Sequence, residues 1–372
     1  MTDRNRPTTT DELLALRAEH PKLRERDFCS QYGVSEAQLV AAQCGSNAWR
    51  VPAHPDELIP QLEGMGEVMA LTRNDACVHE KDGVYDNYRP GDHAAMVLSE
   101  HIDLRIFPSK WCHAFMLEKP LDDGVRRSIQ VFDEAGDAVH KVFLRDGSKL
   151  AAWEALRKQQ LEPPTGLLET LERSMPEPAR GDVAKRDRLL EQWAGLTDTH
   201  QFLTLISRLK MNRLGAYRMA GEPFARALSE SSVDELLQAL SASSLPVMIF
   251  VGNRGCIQIH SGPIHQLKRM GPWQNVLDPG FNLHLRLDQI AEVWAVEKPT
   301  RRGPALSVEA FDGAGQLIVQ VFGTGEVDST ERKAWHRTVG KLPTAEPSLA
   351  KFVGSKFVGS GSSARHEVVQ KG

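Results

Sequence analysis

The sequence of 372 residues predicts an α+β protein made of two tandem, structurally similar halves, each a large antiparallel β-sheet with helices. The main observation is an internal repeat with an offset of 179 residues. The dipeptide VM at 68–69 recurs at 247–248, and EKP at 118–120 recurs at 297–299. Repeats this long are copies of a whole domain and not the short units of a solenoid.

The order of the predicted elements supplies the fold class. Residues 67–147 and 246–323 contain short runs in which apolar and polar residues alternate between glycine, proline and aspartate turns, as is typical of strands. Helical spacing precedes each block, at 11–43 and at 189–240. Helices followed by a run of strands indicate an α+β fold and not alternating β-α-β units.

The predicted organisation is a flexible N-terminus at 1–10, a first repeat at 11–160, an inter-repeat linker at 161–185, a second repeat at 186–342 and a disordered tail at 343–372. The linker is assigned from its polar composition and its prolines. The tail is rich in proline, serine and glycine, contains KFVGS twice in tandem and cannot bury a core.

Residues 22–43 allow two interpretations. A helix, a glycine turn at Gly33 and a second helix capped by Ser35 are typical of two ordinary packed helices and also of a DNA-binding helix-turn-helix. We favour two ordinary helices, because a DNA-binding module is usually basic.

Composition excludes several classes of protein. The formal charge of −4 and the isoelectric point near 6.4 do not indicate a nucleic-acid or anionic-membrane partner. The five cysteines are scattered without a CxxC pair, so neither a disulfide framework nor a thiolate zinc site is indicated. The first ten residues lack the apolar core of a secretory signal, and no run of about 18 apolar residues occurs. We therefore expect a cytoplasmic protein with no membrane insertion and no nucleic-acid partner.

Common catalytic signatures such as GxGxxG, HExxH and GxSxG are absent, which leaves the segment TDTHQF at 197–202 as the main candidate. Thr197 can cap a helix whose apolar face begins at Phe202. His200 would then lie in the first turn, where the helix dipole favours the neutral imidazole that binds metals. A histidine at a helix start is also a common surface or packing residue, so the segment alone leaves both roles open.

The two repeats differ at these positions. Residues 21–24, the loose counterparts of His200, include no histidine, and Arg105 corresponds to His284 in the second repeat. Such divergence is expected if the two halves jointly form a single site, and drift after duplication would give the same pattern.

Together these motifs resemble the bacterial haem-utilisation, or haemin-degrading, proteins of the HemS/ChuS type. The resemblance is carried by TDTHQF at 197–202, IDLRIF at 102–107, VMIFVGNRGCIQIHSGPI at 247–264 and the duplicated EKP. It covers roughly residues 11–342 and implies two similar halves packed into one body, with haem (iron protoporphyrin IX) in a cleft.

The resemblance also implies the residues on either side of the haem. His200 would be the axial ligand of the iron. Arg105 would approach the opposite haem face, where it would have a catalytic role in positioning and stabilising an iron-bound ligand. A buried carboxylate could equally serve as the partner of Arg105.

The remaining site residues would form the pocket. Phe107, Met248 and Phe250 are strand-borne candidates for its apolar walls, with ordinary core packing as the alternative. The family pattern suggests Arg213, Lys298 and Gln320 as partners of the haem propionates. For Lys298 the alternative is a turn that both repeats share, because its counterpart Lys119 lies in the same EKP sequence.

The resemblance implies a cytoplasmic haem-binding protein that takes up imported haem and releases its iron by oxidative opening of the porphyrin ring. That reaction needs an external electron donor. The alternative is a non-enzymatic chaperone that delivers haem to a separate haem oxygenase. A haem ABC transporter is the expected partner on the supply side, and a haem-responsive DNA binder that uses residues 22–43 is the third alternative.

Overall fold

The computed structural model describes residues 6–345 of the chain. The segment predicted to be flexible, 1–10, overlaps this range at its end, where the side chain of Thr9 caps the first helix. Residues 1–5 and 346–372, which include nearly all of the tail predicted to be disordered, lie outside the described residues. Within 6–345, no helix is long and apolar enough to cross a bilayer.

The first half contributes helices α1 (Thr10–Glu19), α2 (Glu25–Tyr32), α3 (Glu36–Ala41), α4 (Pro55–Glu63) and α5 (Leu150–Arg157), and strands β1 (Ala48–Val51), β2 (Val68–Arg73), β3 (Cys77–Gly83), β4 (Tyr88–Arg89), β5 (Ala95–Leu98), β6 (Asp103–Ile106), β7 (His113–Leu121), β8 (Gly124–Phe132) and β9 (Ala138–Leu144).

The second half contributes helices α6 (Arg186–Ala194), α7 (Gln201–Arg208), α8 (Arg213–Ala220), α9 (Ser232–Ser243) and α10 (Thr330–Gly340), and strands β10 (Ala225–Leu228), β11 (Val247–Gly252), β12 (Cys256–Gly262), β13 (Leu267–Met270), β14 (Trp273–Asp278), β15 (Phe281–Arg286), β16 (Glu292–Lys298), β17 (Ala305–Phe311) and β18 (Leu317–Gly323).

Helices α2 and α3 form a packing unit. Gly33 ends α2 in the left-handed conformation (φ 66°), and the Ser35 side chain caps α3 by accepting a hydrogen bond from the backbone N–H of Gln38. Helix α3 has only six residues, and all those from Ala37 to Ala41 are buried. It therefore exposes no face that could enter a DNA groove, which supports the interpretation as ordinary packed helices.

The strands form two nine-stranded antiparallel sheets, which confirms the predicted fold class. Sheet A has the order β1-β7-β8-β9-β2-β3-β15-β14-β13, and sheet B has the order β10-β16-β17-β18-β11-β12-β6-β5-β4. Each sheet thus takes six strands from one half and three from the other. This exchange of strands is a feature that the sequence pattern did not reveal.

Two junctions join the exchanged strands to their sheets. In sheet A, β15 pairs with β3, and in sheet B, β6 pairs with β12 so that Arg105 lies opposite Ile257. The exchanged three-stranded unit of each sheet is therefore hydrogen-bonded to the other half of the chain through one of its strands. The two repeats form one body and not two separate domains joined by a linker.

Each sheet has an inner face, where the two sheets meet, and an outer face. The side-chain amide of Gln258 in sheet B donates to the backbone carbonyl of Ala70 in sheet A (3.0 Å). Helices α4 and α5 pack into one inner core, and α9 and α10 into the other. Helices α1–α3 cover one end of the outer face of sheet A, and α6–α8 cover one end of the outer face of sheet B.

Candidate functional site

Strand register brings four of the predicted site residues to the outer face of sheet B. Directly opposed residues of antiparallel strands project to the same side, and residues two apart in a strand do so as well. Phe250 of β11 lies opposite Gln320 of β18. Two residues further along β11, on the same side, Gly252 lies opposite Ile257 of β12. Ile257 in turn lies opposite Arg105 of β6. Met248 precedes Phe250 by two residues. Arg105, Met248, Phe250 and Gln320 therefore share one surface.

This surface is partly open. Met248, Phe250 and Phe322 are half-buried, whereas the neighbouring inward-facing residues Val247 and Ile249 are completely buried. The rings of Phe250 and Phe322 meet edge to face, with centroids 5.2 Å apart. The outer face of sheet B thus offers an apolar, aromatic wall to an incoming ligand.

Phe107 lies directly after the strand that carries Arg105. Its backbone N–H donates to the carbonyl of Gly255 (3.0 Å), and its ring is half-buried. Phe107 therefore lies beside the turn that connects β11 with β12, at the edge of the same region.

His200 is the residue before helix α7 and occupies its N-cap position. Its side chain is 90% exposed, its backbone N–H donates to Asp198 Oδ1 (2.8 Å), and its Nδ1 lies 3.7 Å from the same carboxylate oxygen. The expectation that Thr197 caps this helix is wrong, because the turn 197–200 precedes the helix and the backbone N–H of Thr197 donates to the Gln201 side chain (2.9 Å). The imidazole is fully accessible to a ligand.

Helix α7 is held against the outer face of sheet B by its predicted apolar face. Phe202 is buried and packs on Trp193 and Tyr217, with ring centroids 4.6 Å and 5.6 Å apart. The same cluster includes Val296 and Phe311 from β16 and β17. His200 of the second half and Arg105 of the first half therefore belong to one side of one sheet, although neither side chain hydrogen-bonds to the other.

Arg105 has a carboxylate partner of its own. One guanidinium nitrogen donates to Asp103 on the same strand and to the carbonyl of Leu104 (3.1 Å), and a third of the side chain is exposed. The carboxylate alternative considered for Arg105 is thus realised, while part of the guanidinium stays accessible on the outer face.

A buried carboxylate organises the residues predicted to bind propionates. Glu309, which lies opposite Gln320 in the sheet, is completely buried. Its carboxylate accepts hydrogen bonds from Arg213 (3.0 Å), Lys298 (3.0 Å), the hydroxyl of Tyr217 (2.8 Å) and the hydroxyl of Ser307 (2.8 Å). The network fastens helix α8, which carries Arg213 and Tyr217, to sheet B.

Burial and charge act in opposite directions on this network. Burial alone would raise the pKa of Glu309, but the charges of Lys298 and Arg213, together with the hydrogen bonds from Lys298 and Tyr217, outweigh it and hold that pKa well below its ordinary value. Burial lowers the pKa of Lys298, and the attraction of Glu309 offsets only part of this effect. The carboxylate is therefore ionised at neutral pH and is committed to its two cations.

The network leaves the three propionate candidates in different situations. Lys298 is 5% exposed, is bonded to Glu309 and Tyr217 and lies over the Phe202 ring (5.0 Å), so that its amine is enclosed. The side chain of Arg213 is 24% exposed, and Gln320 is 9% exposed. The interpretation of EKP as a shared turn does not hold in the first half, where residues 118–120 lie within β7.

On the outer face of sheet A, ion pairs to helix α3 cover the region that corresponds to this surface. Glu36 of helix α3 bonds to Lys141 (2.9 Å) and Arg73, which occupy the positions of Gln320 and Gly252 in the other repeat. Burial would raise the pKa of Glu36, but Lys141 and Arg73 lower it to about 2. The open apolar surface is thus specific to sheet B.

Sequence reasoning missed two residues at the site. Glu309 could have been noticed because its counterpart in the first repeat is the uncharged Gln130. Leu203, one turn after His200, is 52% exposed despite being a large apolar residue. Leu203 follows the candidate ligand by three residues, so both lie on the same side of the helix. This spacing could have indicated that Leu203 borders the site.

Comparison with known proteins identifies the family of the chain. The family model "Haemin-degrading HemS.ChuX domain" matches residues 33–160 and 210–342. The chain is 37% identical over 332 residues to the hemin transport protein HmuS of Yersinia pestis, covering 89% of this chain and 96% of that protein.

Solved structures give the same result. The structure is similar to the crystal structure of holo-PhuS, a heme-binding protein from Pseudomonas aeruginosa, with a TM-score of 0.84, 41% identity and coverage of 90% of this chain and 98% of that one. It is also similar to ChuS, an E. coli heme oxygenase, with a TM-score of 0.80, 31% identity and coverage of 89% and 99%. The chain therefore belongs to the haemin-degrading HemS/ChuX family, and it carries two copies of the family's domain.

Proposed function

We propose that this protein binds haem on the outer face of sheet B, with His200 as the axial ligand of the iron and Arg105 on the opposite haem face. The observation that carries the proposal is the shared surface of Arg105, Met248 and Phe250 on the side of sheet B that also holds helix α7, whose N-cap residue is an exposed histidine. The equivalent surface of sheet A is closed by the Glu36 ion pairs, so a single site is expected.

The residues of this surface fit a porphyrin. A flat apolar ligand needs apolar walls, which Phe107, Met248 and Phe250 supply together with the exposed Leu203. The carboxylate of Asp198 near Nδ1 of His200 can orient the imidazole, so that Nε2 is available to the metal. Arg213, whose side chain is 24% exposed, is the more accessible partner for a propionate, Gln320 is a mostly buried second one, and Lys298 supports Arg213 through Glu309.

Bound haem would supply the redox chemistry of its iron, while the protein supplies the ligand, the orientation and the exclusion of water. Arg105 is a fixed cation on an apolar surface, and it can stabilise negative charge that develops on that side of the ligand. Asp103 keeps the guanidinium in place. These roles belong to a protein that takes up imported haem and releases its iron by oxidative opening of the ring, using an external electron donor.

Delivery of intact haem to a separate haem oxygenase is a second candidate function, and one observation favours it. The His200 side chain is 90% exposed, and an open ligand is suited to rapid exchange with a partner. Relatives are described both as a hemin transport protein and as a heme oxygenase. We place either activity in the cytoplasm, with a haem ABC transporter as the supplier.

Two measurements on one sample test these proposals. Hemin titrated into the purified protein should give a saturable one-to-one complex in the Soret region. Adding a reductant in air should then bleach the Soret band and release iron to a chelator if the protein opens the ring. If the protein delivers haem, the Soret band should persist after reduction in air, and haem should pass intact to a heme oxygenase faster than it is lost to the passive scavenger apomyoglobin. Absence of any discrete complex would refute the haem-binding proposal itself.

A further inference from the structure

The turn 299–304 of the second repeat has the opposite charge to its counterpart in the first. Arg301 and Arg302 occupy the positions of Asp122 and Asp123, which form the two-residue tip of the β7–β8 hairpin. Both arginines are exposed, and in the described part of the chain neither guanidinium has a hydrogen bond or an ion pair. Two unpaired positive charges therefore stand where the other repeat has two negative ones.

This turn borders the proposed haem surface. The backbone N–H of Arg301 donates to the carbonyl of Thr197 (3.0 Å), three residues before His200. The turn also follows directly after Lys298, the last residue of β16 and a member of the Glu309 network. The two arginines are therefore placed beside both the proposed iron ligand and the proposed propionate partners.

The backbone of the turn is held in a defined conformation. The hydroxyl of Thr300 donates to the carbonyl of Gly303 (2.5 Å) and accepts from the backbone N–H of Arg302 (3.1 Å). Gly303 adopts a left-handed conformation (φ 85°), and Val327 packs against it. The two charges are thus fixed at the rim of the surface to within the reach of their own side chains.

Neighbouring charges on the outer face do not cancel those of the turn. Arg213, Lys298 and Glu309 together carry one net positive charge, which the carboxylate of Asp198 beside His200 offsets. The arginines of the turn therefore supply the positive excess on this part of the outer face.

The segment after β18, which also meets the turn, has mixed charge. It contains three carboxylates and two cations, namely Glu326, Asp328, Glu331, Arg332 and Lys333. Because it leads into α10, which packs into the inner core, this segment lies towards the other face of sheet B.

We propose that Arg301 and Arg302 steer anionic haem to the outer face of sheet B, an inference that rests on the proposed haem function. Hemin is an anion at neutral pH, because its two ionised propionates outnumber the single net positive charge of the ferric porphyrin. Cations at the rim of a site attract an anionic ligand before contact, and this raises the association rate in a way that salt screens. The turn is thus assigned to the capture of haem and not to contacts within the complex.

The test separates association from dissociation. Stopped-flow Soret absorbance with dilute hemin gives the association rate constant, and capture of released haem by apomyoglobin gives the dissociation rate constant. The variants are Arg301→Gln/Arg302→Gln and Arg301→Asp/Arg302→Asp, the second of which restores the residues of the first repeat. The charge-matched control is Lys158→Asp/Lys268→Asp, which alters two exposed lysines after α5 and on β13 that have no side-chain bond within residues 6–345.

At about 0.01 M salt we expect association to slow by about threefold in the Gln variant and by about tenfold in the Asp variant. At about 0.3 M salt, where the screening length falls from about 30 Å to about 6 Å, both differences should shrink to less than about twofold. Dissociation should be unchanged in both variants, and the control should behave like the wild type.

The possible failures are distinguishable. If the wild type forms no hemin complex, the proposed function fails. If the wild type binds hemin but the Asp variant associates as fast as the control, or is slowed equally at both salt concentrations, steering by this turn is wrong while haem binding stands. Faster dissociation with unchanged association would place the arginines in contact with bound haem and would also overturn the proposal. Circular dichroism of each variant checks that the fold is unchanged.

Discussion

Glu309 shows how a single residue decides what its neighbours can do. In the first repeat the same position is Gln130, whose side-chain amide donates to the hydroxyl of Ser128 (3.0 Å), and Lys119 pairs with the distant Glu25 (2.8 Å). In the second repeat the carboxylate holds Lys298, Arg213 and Tyr217 together. Lys119 and Lys298 therefore have different environments, although they occupy equivalent positions in the two repeats.

Replacing Glu309 with Gln should lower the free energy of unfolding by about 3 kcal/mol at pH 7, because the buried Lys298 and the half-buried Arg213 lose their counter-charge. The pKa of Glu309 is depressed in the folded state. Its contribution is therefore complete above the ordinary carboxyl value of 4.5, and it is lost as the pH falls towards the lower folded value. Urea unfolding measures the difference.

A matched control is Asp82→Asn, which removes the more exposed pair of Asp82 with Arg145 (2.7 Å). This change should cost less than about 1 kcal/mol. Equal effects of the two substitutions would contradict the importance assigned to the buried network.

At the scale of elements, two matching turns join the halves. Asn74 follows β2, and its side chain donates to the carbonyls of Gly252 (3.2 Å) and Ile318 (2.8 Å) of the second half. Asn253 follows β11 and donates to the carbonyls of Arg73 and Val139 of the first half. Each turn therefore closes its own hairpin and binds the backbone of the other repeat.

Replacing Asn253 with Ala removes four hydrogen bonds at a half-buried position, and we expect the free energy of unfolding to fall by about 3 kcal/mol. Asn282→Ala is the control, because the described part of the chain gives the half-buried Asn282 no side-chain hydrogen bond. That change should cost well under about 1 kcal/mol. Chemical denaturation at one pH measures the free energy of unfolding of both variants. If Asn253→Ala leaves that free energy unchanged, the turns do not hold the halves together.

The helices and strands of this fold could be predicted from the sequence much better than the pairing between strands could. The repeat and the alternating runs predicted two similar halves with antiparallel strands, and the structure confirms them. The pairing of β6 with β12 was not predictable, because alternation fixes which side chains share a face but not which strand edge is adjacent. The enclosed position of Lys298 was not predictable either, because it depends on the packing of helix α8, which brings the Tyr217 hydroxyl within 3.2 Å of the amine.

The whole molecule is held together by the exchanged strands and the core that they share. Cys256 of β12 is buried in the core of the first half, where its sulfur lies 3.6 Å from the hydroxyl of Thr72 and 3.9 Å from Nδ1 of His140. His140 is also buried and bonds to Thr72 (2.8 Å) and to the hydroxyl of Tyr85 (2.5 Å). A polar cluster at the junction of the halves is thus satisfied internally.

This cluster predicts a pH dependence of stability. Burial lowers the pKa of His140 from 6.5 to about 3. At pH values between these two, the histidine is protonated in the unfolded chain but not in the folded chain. Stability should therefore fall as the pH decreases from 6.5 towards 3, by up to about 1.4 kcal/mol per pH unit for this histidine. Buried His260, with a pKa lowered to about 4 by burial and Lys81, acts in the same direction.

The measurement is the slope of the unfolding free energy against pH between 5 and 6.5, for the wild type and His140→Gln. The substitution should reduce the slope by up to about 1.4 kcal/mol per pH unit, which is the contribution of one bound proton. This change in slope is expected even if the substitution also lowers stability at pH 7. Identical slopes would mean that His140 titrates normally in the folded protein.

We propose that the iron of a bound haem is held by His200 on the outer face of sheet B. The direct test is the Soret spectrum and hemin affinity of the wild type, His200→Ala and His54→Ala. His54 is a matched control, because it is also the N-cap of a helix and its Nδ1 also lies 3.7 Å from an aspartate oxygen. We expect a shifted Soret band and weaker hemin binding for His200→Ala alone, with His54→Ala like the wild type. A normal complex in His200→Ala would contradict it.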